Sequence, residues 1–240
     1  MTSFDYRGKV VIVTGVGRPG QIGHEVALAF ARAGAQLVLC DVNATGVAER
    51  AKEFQSLGFD VRPAAGDLTE PDVARLAVET AVRNYGRLDA LINIAGGLTT
   101  YGPIGDATVK AFDREIGINL KTTVMMSQAA IDELAKTHGS IVNVASIAYF
   151  QPTPNMAIYA AAKAGVAGFT RSLAAELESR AVRVNAIAPA MVRTPENVDA
   201  AGADATYVEM SHITDGIMFL ASPAAEAING LVLPISRGAV

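Results

Sequence analysis

Three side chains in the second half of this 240-residue chain have the types and spacing to move a proton. Tyr159 and Lys163 lie four residues apart, so on a helix they share one face. An ammonium beside a phenol favours the phenolate, and this should lower a pKa that starts at about 10 toward a working range. A tyrosine so tuned gives a proton to a carbonyl oxygen, or takes one from an alcohol, near neutral pH. Ser146 stands 13 residues before Tyr159, at the end of a strand-like run, where its hydroxyl could hydrogen-bond the same oxygen. Either member of the tyrosine–lysine pair alone reads as a core tyrosine or a solvated lysine. The placed set points to chemistry.

A second constellation lies near the start. Lys9 to Thr14 is a short β-branched run that reads as a strand buried on both faces. Glycines follow at 15, 17, 20 and 23, and His24 to Ala33 then has helical spacing, closed by Gly34 in the C′ role. Strand, glycine turn and helix let backbone approach a pyrophosphate at a helix N-terminus. Asp41 ends the next strand, 26 residues after Gly15. A carboxylate there can accept from both ribose hydroxyls of NAD and would repel a 2′-phosphate; the plainer alternative is a loop aspartate capping the next helix. Arg18, inside the turn, could meet a 2′-phosphate and favour NADP instead. Val42 and Asn43 bring no second cation, so NAD is the expected cofactor and NADP the alternative.

These groups need a scaffold that brings the carboxyl ends of several strands together. Further strand-like runs are Gln36 to Cys40, a short one near Val61, Ala90 to Ile94, Ser140 to Val144, Val182 to Ile187 and Leu231 to Pro234. Helical spacing covers about Ala44 to Leu57, Glu70 to Tyr85, Lys110 to Thr137, Met156 to Ser179 and Thr214 to Ala221. Seven strands alternating with helices predict an α/β, three-layer Rossmann fold: a doubly wound parallel sheet with helices on both faces. No linker or repeat divides the chain, which reads as one domain over residues 1–240.

Composition excludes several classes. Half the residues are hydrophobic and 18% charged, which excludes a disordered chain. A net charge of −4 argues against nucleic acid or an anionic membrane as partner. The lone cysteine, Cys40, cannot form an internal disulfide and should be inert. His24, His138 and His212 have no metal-ligand spacing and read as surface or cap residues, so no metal is expected. Met1 to Lys9 lacks the apolar stretch of a secretory signal, and no run of apolar residues could span a bilayer. A cytoplasmic protein is expected.

The residues resemble the classical short-chain dehydrogenase/reductase family over nearly the whole chain. Thr14-Gly15, Gly20 and Ile22-Gly23 look like its cofactor turn, and Asp67-Leu68 like the acidic pair that holds the adenine ring. Asn93-Ile94-Ala95-Gly96 is similar to its Asn-Asn-Ala-Gly segment. Asn119, Ser146, Tyr159 and Lys163 resemble its catalytic tetrad, and Pro189 to Thr194, with Val192 within it, the segment that covers the nicotinamide. The resemblance implies that Lys163 also holds the nicotinamide ribose and that Asn119 carries a water linking the lysine to solvent. It further implies a small carbonyl or alcohol substrate. The two long helices would pack against their copies in a homotetramer or dimer, through the small residues Ala160, Ala164, Ala167 and Gly168.

Four departures accompany the match. The interval from Gly15 to Gly23 is two residues longer than in the family, with Pro19 inserted, so the turn must bulge. Ile94 replaces an asparagine that braces the central strand. Ala190 stands where the family has glycine. The lid region, about 190–213, is short, and Ile235 to Gly238 lacks the usual Asp-Gly-Gly ending. Tyr101, Tyr149 and Gln151 are candidate walls of a substrate pocket, with loop packing as the equal alternative. The leading expectation is an oxidoreductase that passes hydride between a nicotinamide and a carbonyl or secondary alcohol. The alternative is a dinucleotide-binding protein with little turnover, a sensor or non-catalytic subunit.

Overall fold

The β-branched runs become the strands β1 (Val10–Thr14), β2 (Gln36–Asp41), β3 (Val61–Ala65), β4 (Ala90–Asn93), β5 (Ser140–Val144), β6 (Arg183–Pro189) and β7 (Val232–Ile235). In this computed structural model, which describes residues 4–237, they form one parallel sheet in the order β3-β2-β1-β4-β5-β6-β7. Gly238 lies outside the described residues. The order reverses between β1 and β4, and in such sheets ligands bind at the carboxyl ends beside that switch.

Strand alternation divides the core into two layers. Val11 and Val13 point to the face covered by the helices α1 (Ile22–Arg32), α2 (Ala44–Ser56) and α8 (Met210–Ala221), with Val26, Phe30, Phe54 and Ile217 fully buried there. Val10 and Ile12 point to the face covered by α3 (Pro71–Tyr85), α5 (Thr122–Thr137) and α6 (Ala157–Glu176), against Met126, Leu134 and Leu173. Each such large side chain contributes about 1.5–3 kcal/mol by leaving water. Gly34 ends α1 as expected: at φ 93° it lets its own N–H reach Ala31 O and that of Ala35 reach Phe30 O, the double closure that a left-handed residue permits. Tyr6 donates its hydroxyl to Met218 O at 2.7 Å, so the start of the chain is fastened to α8.

The edge opposite the switch point is tied by Asp89. Its carboxylate accepts from Val10 N, Lys9 Nζ and the Arg87 guanidinium, and its carbonyl accepts from Ser140 N. The starts of the three central strands are thereby held in register.

Three features differ from the sequence expectations. The stretch from Lys110 to Thr137 is not one regular helix: α4 (Val109–Ile116) passes through a π turn at Gly117–Lys121 into α5. A short helix, α7 (Pro195–Ala201), forms in the lid region, started by Thr194 accepting from Asn197 N and by Pro195 in the first turn. Ala167 is not on an outward face of α6 but fully buried against the sheet. Ala160, Ala164 and Gly168 remain at least partly accessible.

Candidate active site

The glycine turn follows β1 at the switch point. Gly15, at φ 76°, sits so close to the chain after β4 that a Cβ on it would lie 3.0 Å from Ala95 Cα. Thr14 fastens the two segments together, its Oγ1 accepting from Ile94 N and Ala95 N at 2.9 Å. This backbone-directed brace stands where Ile94 offers no polar side chain. Gly23, in the first turn of α1, approaches Gly15 O so closely that a Cβ would stand 2.1 Å from it. The helix start is thus pressed against the strand end, and α1 has no side-chain cap on its first amides, which leaves them for an anion.

The lengthened turn bulges toward the lid. Arg18 Nη1 lies 2.7 Å from Glu196 Oε2 on α7, and Gly20 faces Pro195. Gly20 N donates to His24 Nδ1 at 3.2 Å, and His24 Nε2 lies 3.3 Å from Glu53 Oε1. His24 is therefore neither a surface nor a cap residue. It is buried beneath the turn and braces it, because the added residues need an acceptor for Gly20. Asp41 does not cap α2, a role taken by Asn43. Its Oδ2 accepts from Gly17 N at 2.7 Å and its Oδ1 from Asn43 N at 2.9 Å. A carboxylate has about four acceptor positions, so capacity for ribose hydroxyls remains.

Asp67 is exposed, accepting from Thr69 N, and Leu68 is buried beside it. Asn93 is buried at the end of β4, donating to Ser127 Oγ and Asn143 Oδ1. Gly96 abuts Asn119, whose Oδ1 would lie 2.6 Å from an added Cβ. Beyond β6, Pro189 leads to Ala190, whose N–H bonds Ile235 O, and to Val192, which bridges Val208. Thr194 then caps α7. The cofactor-turn residues meet the start of α7, directly after the segment 189–194, across Arg18–Glu196 and Gly20–Pro195. A dinucleotide fits this arrangement: close backbone approach at Gly15 and Gly23, uncapped helix amides, and a carboxylate with spare acceptors.

The residues expected to move a proton lie on the same edge. Ser146 follows β5 and Tyr159 lies in the first turns of α6, with the Ser146 side chain acting on the phenol. Lys163, one turn later, is buried and donates to Val144 O at 2.8 Å. Its Nζ stands 5.8 Å from the centroid of the Tyr159 ring. The expected lowering of the tyrosine does not occur. Burial pushes Tyr159 up, Ser146 opposes this, and the carboxylate of Glu115 adds to it. The lysine sends its N–H to Val144 O, and burial also pulls Lys163 down to about 8, partly countered by Glu115.

Asn119 sits fully buried in the π turn. Such a turn adds a residue to the helix and re-aims the side chains within it. Asn119 Nδ2 donates to Gly97 O, Glu115 O and Glu115 Oε1, and its Oδ1 accepts from Gly97 N. Sequence reasoning missed Glu115. Of the pocket-wall candidates, Tyr101 lines a shallow depression with Ile104, Asn155 and Ile158 beside the start of α6. Tyr149 is not among those lining residues and stacks edge-on with Phe150.

Among the described residues, no helix is long and apolar enough to cross a membrane. A family described as short chain dehydrogenase matches residues 9–204. The chain is 34% identical over 245 residues to a 3-oxoacyl-(acyl-carrier-protein) reductase of Thermotoga maritima, covering 97% of this chain and 98% of that protein. It is 30% identical to 7alpha-hydroxysteroid dehydrogenase of Escherichia coli, over 97% and 94% of the two chains. A solved structure of 7alpha-hydroxysteroid dehydrogenase with NADH and 7-oxo glycochenodeoxycholic acid matches with a TM-score of 0.90 at 30% identity, over 99% and 96% of the chains. A short-chain type dehydrogenase/reductase from Mycobacterium ulcerans matches with a TM-score of 0.92 at 27% identity, over 98% and 90%.

Proposed function

This chain belongs to the short chain dehydrogenase family, and on that footing we propose that it is an NAD(H)-dependent oxidoreductase interconverting a ketone and a secondary alcohol of a small molecule. The observation that carries the reading is Tyr159 with Ser146 acting on its phenol and buried Lys163 one helical turn on, its Nζ 5.8 Å from the Tyr159 ring centroid. The three lie at the carboxyl edge that also presents the glycine turn. When bound, a nicotinamide supplies or accepts the hydride at the substrate carbon. Tyr159 gives its proton to the carbonyl oxygen in reduction and takes it back in oxidation. Ser146 hydrogen-bonds that same oxygen and orients it. Lys163 places a positive charge beside the phenol and holds the nicotinamide ribose, and Asn119 fixes the backbone behind it.

NAD is favoured over NADP in this reading by Asp41, whose charge opposes a 2′-phosphate. It is favoured also by the engagement of Arg18 with Glu196. Gly15, Gly20, Ile22 and Gly23 would hold the pyrophosphate, Asp67 and Leu68 the adenine, and Asn93, Ala95, Gly96, Pro189, Val192 and Thr194 the nicotinamide half. Residues 190–213 act as a short lid on a single catalytic domain. A homo-oligomer through α5 and α6 is part of the same reading, supported by the accessible small residues Ala160, Ala164 and Gly168.

The test is a side-by-side fluorescence titration with NADH and NADPH, followed by a screen of ketones for NADH oxidation. Tight NADH binding and turnover that Tyr159→Phe abolishes without loss of NADH binding are the expected results. Undiminished turnover in Tyr159→Phe would overturn the assignment. Binding without any turnover would leave a dinucleotide sensor in its place.

A further inference from the structure

Glu115 has no exposed surface, and it is a charged residue for which the fold alone provides no reason. It lies on α4, four residues before Asn119, so both side chains share one face of the helix as it enters the π turn. Among the described residues, the hydrogen-bond partners of its carboxyl group are N–H and O–H donors. Oε1 accepts from Asn119 Nδ2 at 3.1 Å, and Oε2 accepts from Thr99 N at 3.0 Å and Thr99 Oγ1 at 2.5 Å. That pattern suits an acceptor-only carboxylate. The same Asn119 amide also clasps Gly97, so one carboxylate and one amide together fasten the loop after β4 to the π turn.

We propose, resting on the reading of this site as a dehydrogenase centre, that Glu115 is a positioning residue. It locks Asn119 and the segment 97–99 in one geometry and sets a buried negative charge that keeps Lys163 an ammonium. A buried ammonium without a counter-charge would shed its proton. Lys163 itself bonds only a neutral carbonyl, Val144 O, so its compensation has to act through space. Helix α4 packs on α6, and the titratable groups there that feel the Glu115 carboxylate are Tyr159 and Lys163. Thr99 contributes neutral donors, and Asp113 and Arg114 on α4 itself are exposed. Both α6 groups feel the carboxylate in the same sense: it makes each hold its proton more tightly. Removing the charge therefore makes the first proton of the coupled pair leave at lower pH, whichever residue gives it up.

The experiment is a pH titration of the protein labelled with ε-13C-lysine, read by NMR, with the Lys163 signal identified by its loss in Lys163→Arg. In Glu115→Gln, and in Glu115→Leu should the first variant fold poorly, the Lys163 midpoint should fall by roughly one pH unit. Thr99→Val removes one anchor but no charge, and should leave that midpoint in place while lowering thermal stability. In the active protein, the alkaline limb of kcat/KM for ketone reduction should move acidward with Glu115→Gln and not with Thr99→Val. An unmoved Lys163 midpoint in the folded Glu115 variants would overturn the proposal even if the wild type reduces ketones. A shifted midpoint in a protein that turns over no ketone would uphold the charge role and overturn the dehydrogenase reading.

Discussion

Replacing Gly23 by alanine tests the close approach on which the cofactor turn depends. The added methyl would stand 2.1 Å from Gly15 O and 2.6 Å from Gly15 C, short of ordinary contact by about 1.3 Å and about 0.8 Å. Neither wall yields easily. Gly15 is held by its own N–H on Cys40 O at 2.8 Å and backs onto Ala95. Helix α1 is held by Val26 and Phe30, both fully buried. Overpacking against backbone belongs at the upper end of its usual range, about 3 kcal/mol, and in a chain of this size that lowers Tm by about 6–12 °C. If the chain relieves the clash by moving the turn, NADH affinity should fall at least about thirtyfold instead. Differential scanning fluorimetry and nicotinamide fluorescence on the same sample read both outcomes. Gly105→Ala, where an added Cβ meets nothing within 4 Å, serves as control and should change stability by less than about 0.5 kcal/mol. A Gly23→Ala protein with wild-type Tm and wild-type NADH affinity would refute the reasoning.

Asp41→Asn keeps the shape of the carboxylate but removes its charge, so NADPH should bind about tenfold tighter or more and NADH somewhat weaker; fluorescence titration decides, and an unchanged preference would show that Asp41 does not select the cofactor. Lys163 is pulled by burial from 10.5 to about 8 in the folded chain. Below that value both states are protonated and the burial cost is fully present. Between about 8 and 10.5 the unfolded chain binds more protons, so stability rises with pH across that window. Lys163→Met removes the titrating group and should flatten that rise, read by urea melts between pH 7 and pH 10. Burial pushes Cys40 up to about 12, so a thiol-reactive chromogenic disulfide at pH 8 should find no reactive group in the native protein and one equivalent after denaturation.

The sheet was legible because continuous β-branched runs such as Val10-Val11-Ile12-Val13 bury both faces and have few alternatives. Ser146, Tyr159 and Lys163 were legible as a set because strand end and helix face place them. The π turn was not: Gly117-Ile118-Asn119 continues the apolar period of a helix, and only the pull of Asn119 toward Gly97 shows where the backbone widens. Glu115 was hidden among Lys110, Asp113 and Arg114, a run that reads as a solvated face. The burial of His24 was missed for a related reason, since besides the adjacent Glu25 its partners Gly20 and Glu53 come from a bulged turn and another helix. The sign of the Tyr159 shift was misjudged because a sequence displays charges but not burial, and burial, with Glu115 adding to it, outweighs the pull of Ser146 here. Helix α7, built from alanine, aspartate and asparagine, has too few apolar residues to announce itself.

The fastening of Tyr6 to Met218 has a consequence for how the protein comes into being. The strand synthesised first ends up in the middle of the sheet, and the helix layer that seals one of its faces includes α8, made some two hundred residues later. All the candidate site residues have been synthesised by Thr194, yet Val11 and Val13 stay without their full cover until Ile213 and Ile217 arrive. Contacts of such long sequence separation form slowly and late. A nascent chain therefore carries every candidate site residue before the helix layer beneath the sheet is complete.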